Sequence, residues 1–200
     1  MRTYTIQPRD PSGSWENVPT LAIDQPFGKI PEGLKAFGQF QYDDMKLYVH
    51  LWAEEKDVRA EERGTLAEPC KDSCLEFFFC PKMGDNRYFN IEFNPAAQSY
   101  VGFGSSLKDL LRLLPDDGIP LFDPTAKKTE NGWEVFYQIP WAFVRRLFPD
   151  FEVVKGMEIR ANCFKCGDLT PMPHYLSWNV HTAEAPAFHF PQYFGKMIFG

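Results

Sequence analysis

Leu47-Tyr48-Val49-His50-Leu51-Trp52 alternates with a period of two. Leu47, Val49 and Leu51 fall on one face of an extended chain, and Tyr48, His50 and Trp52 on the other. The same pattern returns in Leu75-Glu76-Phe77-Phe78-Phe79, with Leu75, Phe77 and Phe79 inward and Cys74, Glu76 and Phe78 opposite. Phe89-Asn90-Ile91-Glu92-Phe93 turns Asn90 and Glu92 away from the core. Glu158-Ile159-Arg160-Ala161-Asn162-Cys163 turns Ile159, Ala161 and Cys163 inward, and Arg160 and Asn162 outward. Each strand has one apolar face to bury, which predicts an all-β, antiparallel β-sandwich. Val135-Phe136-Tyr137-Gln138-Ile139, ended by Pro140, and Lys196-Met197-Ile198-Phe199 read as further strands.

Composition agrees with that reading. There are 19 Phe, and the 17 Pro and 14 Gly fit short apolar strands separated by turns better than long helices. Two short helical excursions are expected. Leu107–Leu114 has helical spacing and stops at Pro115, and Pro140 begins a segment running to Phe148. With no internal repeat or linker, 200 residues are expected to form one domain over residues 1–200.

A net charge of -6 and a pI near 5.3 argue against a nucleic-acid partner, since no basic cluster exceeds Arg145-Arg146 or Lys127-Lys128. No run is long and apolar enough to span a bilayer, and Met1-Arg2-Thr3-Tyr4-Thr5-Ile6 lacks the apolar stretch of a secretory signal. A cytoplasmic location is expected unless a leader has been removed. Five cysteines, an odd number, fit a reducing compartment.

The segment Asn162-Cys163-Phe164-Lys165-Cys166-Gly167-Asp168 leads to His174-Tyr175-Leu176-Ser177-Trp178-Asn179 and later to Pro191-Gln192-Tyr193-Phe194-Gly195. A strand feeding a loop that presents a tryptophan suits a sugar, whose C–H bonds stack on an aromatic face while its hydroxyls seek polar partners. Arg160 could donate a forked pair of hydrogen bonds to adjacent hydroxyls, or pair with Glu76 or Glu92 across the sheet. Asn90 or Asn162 could both donate and accept. Lys165, Asp168, His174 and His189 could line a rim or hold their loops.

The ordered series Asp72-Ser73-Cys74-Leu75-Glu76-Phe77-Phe78, Tyr88 to Asn94, Trp133-Glu134 to Ile139-Pro140-Trp141, and Ser177-Trp178 to Phe194-Gly195 resembles the family 9 carbohydrate-binding modules. It is most similar to stand-alone bacterial family-9-like proteins, and the likeness runs from about Trp15 to Phe199. The resemblance implies a jelly-roll-like sandwich holding a terminal sugar of a mono- or oligosaccharide between two tryptophans, with calcium as a possible cofactor. On it, Trp178 matches a sugar-stacking tryptophan and Glu76 a hydroxyl-binding carboxylate. The second tryptophan of xylanase-attached modules would stand where this chain has Glu68-Pro69-Cys70-Lys71, and Trp52 is the candidate replacement.

Other chemistries draw on the same residues. Glu76 and Glu92 could act as paired carboxylates in glycoside hydrolysis. Cys163-x-x-Cys166 with Cys70-x-x-x-Cys74 could bind zinc, but the spacing of Cys163 and Cys166 on a strand sends their side chains to opposite faces. Asp43-Asp44 or Asp116-Asp117 could supply oxygen to calcium. A haem-binding sandwich would need His50 or a methionine as axial ligand, and no spacing selects one.

Overall fold

The computed structural model describes residues 1–115, 121–180 and 188–200. Fourteen strands are found among the described residues. They are β1 (Thr3–Pro8), β2 (Leu21–Ala22), β3 (Gln25–Pro26), β4 (Lys35–Tyr42), β5 (Lys46–Glu54), β6 (Cys74–Cys80) and β7 (Tyr88–Phe93). After these come β8 (Ser99–Gly104), β9 (Leu111–Arg112), β10 (Thr125–Lys128), β11 (Gly132–Pro140), β12 (Glu158–Cys166), β13 (Tyr175–Ser177) and β14 (Gly195–Phe199). The four strands read from alternation and the two further candidates are all present.

The strands form one mixed sheet in the order β10-β11-β5-β4-β1-β14-β12-β6-β7-β8-β9. Strand β1 joins its two halves. Thr3 to Ile6 pair with β14 and Gln7 and Pro8 pair with β4, both in parallel. These pairings make the sheet mixed, where a wholly antiparallel sandwich was expected. Alternation reports which face is buried and carries no information on strand direction.

The sheet curls so that both halves turn one face inward. Leu47, Val49 and Leu51 of β5 pack in one core with Phe77 and Phe79 of β6, Ile91 of β7 and Ala161 and Cys163 of β12. Trp133, Trp141 and Trp178 are the largest side chains within it. Strand β6 is buried at every position, because its second face is covered as well. There Cys74, Phe78, Tyr88, Phe164, Cys166, Phe188 and Phe194 form a second, smaller cluster.

The helical excursions come out unequally. Helix α1 spans Trp141–Arg145 with Pro140 at its N-cap, which leaves the missing proline N–H without consequence. Leu107–Leu114 does not form a helix. Leu107–Asp109 makes a single 3-10 turn in which the Asp109 carboxylate accepts hydrogen bonds from Ser105 and Ser106, and Leu111 and Arg112 pair with β8. Side-chain capping by Ser and Asp favours the turn over a continuing helix.

Candidate functional site

Cross-strand register gathers the second face into a polar row. Glu76 stands opposite Glu92, and Phe78 opposite Asn90. On the other side of β6, Glu76 faces Phe164 and Cys74 faces Cys166. The β12–β13 hairpin then sets Tyr175 opposite Cys166. A cavity of about 570 Å³ opens over this row. Its lining includes Glu76, Glu92, Cys166, Asp168, Tyr175 and Phe188.

Two segments wall the cavity. Residues 188–194 lie across the sheet, with Phe188 stacked on Phe164 at 4.1 Å and His189 accepting or donating a 2.8 Å hydrogen bond with the Tyr88 hydroxyl. Ser106, Leu107 and Lys108, from the 3-10 turn, line the opposite side. The Asp168 carboxylate accepts hydrogen bonds from Tyr175 and Cys70 and lies at the rim.

Glu76 and Glu92 are both buried. Glu76 accepts a 3.0 Å hydrogen bond from the Cys166 thiol, and Glu92 accepts one at 3.0 Å from the Asn90 amide. Neither has an ion-pair partner within 4 Å among the described residues. Burial, then the neighbouring Glu92 charge, pushes the Glu76 carboxyl well above the ordinary carboxylate range. Burial raises Glu92 to about 7. Two carboxyls this close titrate as a pair, and the pair favours holding a proton near neutrality. Asn90 Oδ1, one residue pair along, is buried without a hydrogen-bond partner among the described residues.

The remaining sequence candidates lie elsewhere. Trp178 is only 4 % exposed and belongs to the main core. Its ring packs on Gly195, where a Cβ would come within 2.6 Å of the indole, so only glycine fits beneath it. Trp52 is on the outer face of the other half of the sheet, between Phe37 at 5.3 Å and His50 at 4.7 Å. Strands β4, β1, β14 and β12 separate it from β6, and the curl turns the two outer faces apart. It therefore does not share a face with Glu76 and Asn90, as alternation alone had suggested.

Arg160 pairs with neither glutamate. Its guanidinium donates to the carbonyls of Asp85 and Pro191 and to Asn86 Oδ1. Asn162 is a buried brace whose Oδ1 accepts from the backbone of Cys163 and Asn179. Lys165 and His174 belong to a separate buried network with Glu55.

The metal and haem candidates sort in the same way. Cys163 is in the main core and Cys166 on the cavity side, so the Cys-x-x-Cys pair is split as its spacing requires. All five cysteines are free. Asp43 accepts hydrogen bonds from the backbone of Met45 and Lys46 and from the Tyr48 hydroxyl. Asp116 and Asp117 lie outside the described residues. His50 bonds Glu134 and stacks face to face on Phe136 at 3.9 Å.

Sequence reasoning missed Tyr175, Phe188, Phe190 and Cys70 as cavity residues. The signal for Tyr175 was available, because Leu176 is apolar and core-facing and its neighbour must point the other way. Clefts of about 570 and 620 Å³ elsewhere, at Glu32 to Asn131 and at Pro81 to Glu158, hold charged groups that are exposed or already paired.

The family model for carbohydrate-binding family 9 matches residues 35–199. The chain belongs to carbohydrate-binding family 9. Three solved structures share the fold. A candidate carbohydrate-binding protein of Bacteroides uniformis is 23% identical, with a TM-score of 0.84, over 100% of this chain and 99% of that one. A family 9 module of Caldicellulosiruptor kristjanssonii in complex with glucose is 14% identical, with a TM-score of 0.69, over 100% and 96%. The module from that organism in complex with cellotriose is 13% identical, with a TM-score of 0.66, over 99% and 93%. No curated protein matches the chain. Within this family 9 chain, the buried carboxylate pair and its cavity are the features that set one sheet face apart from the other.

Proposed function

We propose that this family 9 chain is a non-catalytic module that binds the ring of a mono- or oligosaccharide in the cavity over Glu76 and Glu92. The observation that carries it is the buried, cation-free carboxylate pair at the floor of a cavity walled by Tyr175, Phe188 and Phe190. A carboxylate beside a protonated carboxyl offers both acceptors and a donor, which is what adjacent sugar hydroxyls require. The aromatic surface comes from Tyr175, Phe188 and Phe190, which line the cavity, whereas Trp178 lies in the main core and Trp52 on the other half of the sheet. The family relatives solved with glucose and cellotriose make glucose and its β-linked oligomers the first sugars to try.

Glycoside hydrolysis fits this geometry poorly. Cross-strand neighbours rise side by side from one floor, whereas hydrolysis needs carboxyl groups flanking the scissile bond.

Isothermal titration with glucose, cellobiose and cellotriose tests the proposal, with chromatography of the mixture for products. Saturable heat without products is expected, and Glu92→Gln should weaken binding by about tenfold, the loss of one charge-assisted hydrogen bond. No heat with a broad sugar panel, or unchanged affinity in Glu92→Gln, would remove this cavity from consideration.

A further inference from the structure

Three side chains at one end of the cavity floor, one of them the Glu76 carboxyl of the proposed sugar site, form a set of potential metal ligands. Cys74 and Cys166 are direct cross-strand neighbours on β6 and β12, and both side chains leave the sheet on the cavity side. Their sulfurs and a Glu76 carboxylate oxygen all lie within 4.8 Å of one another. All three residues are buried, while Glu76 and Cys166 also line the cavity.

We propose that Cys74, Cys166 and Glu76 form a binding site for a thiophilic divalent cation of the zinc class, with its remaining coordination position open to the cavity. Two sulfurs and one carboxylate oxygen select a borderline-soft ion over calcium or magnesium, which prefer oxygen alone. Three protein ligands with a vacant fourth position is the arrangement zinc takes when it also meets an exogenous ligand. Bond lengths of about 2.0 to 2.3 Å put tetrahedral donors roughly 3.3 to 3.8 Å apart, which rotamer adjustment from the present spacing can reach.

Charge favours the same occupant. Glu76 is buried and among the described residues has only a thiol as hydrogen-bond partner, so a cation at this point supplies a counter-charge. The ion replaces the protons of both thiols and any proton on the carboxyl. Three anionic ligands then surround a charge of two, and the protons pass to solvent. Cys163 takes no part because it faces the main core.

The test uses the full chain, kept reduced, titrated with cobalt(II) as a coloured stand-in for zinc. One equivalent should produce a sulfur-to-cobalt charge-transfer band with tetrahedral d–d absorption, and zinc should displace it. Cys163→Ser should keep the band and Cys166→Ser should lose it. Because Cys166 is buried, a second measurement guards against misfolding: in the unsubstituted chain, zinc should protect Cys74 and Cys166 from alkylation, read by peptide mass. Absence of the band in the reduced chain, its survival in Cys166→Ser, its loss in a folded Cys163→Ser, or unchanged alkylation of Cys74 and Cys166 would each overturn the site. None of these readouts contains a sugar, so the result stands apart from the carbohydrate titrations.

Discussion

Lys165 and Cys166 are consecutive residues of β12 that enter two buried polar clusters on opposite sides of the sheet. Lys165, fully buried, donates to Glu55 at 3.1 Å, to the Cys166 carbonyl at 2.8 Å and to His174 Nε2 at 2.7 Å. Glu55 also accepts from the Ser73 hydroxyl and the Trp133 indole, and His174 Nδ1 bonds the Met172 carbonyl. Every donor of the ammonium is used, and its charge is matched. On the cavity side, Glu76 and Glu92 share a thiol and an amide between them and face open space. A buried polar group with all its partners holds structure, and one without them waits for a ligand.

That contrast is broken most severely at Lys165. Lys165→Met leaves Glu55 buried without its cation and should cost about 3–5 kcal/mol in urea denaturation. Adding Glu55→Gln to it should restore part of the loss. If Lys165→Met is as stable as the original chain, the buried ion pair does not contribute to holding the structure.

Trp178→Ala comes next. An indole that fills the core beside Gly195 should cost about 3 kcal/mol or more when truncated, with sugar affinity unchanged in the fraction that remains folded. Normal stability with lost sugar binding would return Trp178 to the site and move the site off the cavity.

Trp178 also shows why the strands were legible and the site only partly so. Alternation in Leu47 to Trp52 or Leu75 to Phe79 is enforced by a local pleat and survives any tertiary arrangement. It correctly put Glu76, Asn90 and Glu92 on one face, since β6 and β7 are joined by a short hairpin. Trp52 obeys the same alternation and ends on another surface, because which half of a curled sheet a strand joins depends on β1, whose two parallel pairings leave no periodic trace. Whether an aromatic ring has a free face depends in turn on what packs against it. Gly195 beneath Trp178, and Phe37 and His50 flanking Trp52, come from distant or cross-strand residues that spacing does not reveal.

The smallest expected effect separates the two clusters by pH. Burial, and then the Lys165 charge, lowers His174 to about 4, while Glu55, at 3.6 Å, pulls it the other way and Thr170 sits 3.4 Å from Nδ1. In the unfolded chain it titrates near its ordinary value of about 6.5. The unfolded state therefore takes the proton first as pH falls, so this contribution is complete above about 6.5 and is lost towards 4. Glu92 acts in the opposite sense. Raised to about 7, it is protonated in the folded chain before the unfolded one, so its contribution is present at low pH and lost as pH rises towards 7. Glu76, also raised by burial, acts in the same sense as Glu92, so His174 and the carboxyl pair oppose each other between pH 5 and 7. His174→Gln, which keeps an acceptor for Lys165, should remove on the order of 2 kcal/mol of acid sensitivity over that interval. Relative to the original chain, acidification would then favour folding more in His174→Gln and less in Glu92→Gln, as read from urea midpoints at the two ends of the interval. Parallel curves for the two variants would mean that the clusters on either side of β12 do not differ in the way their hydrogen bonds indicate.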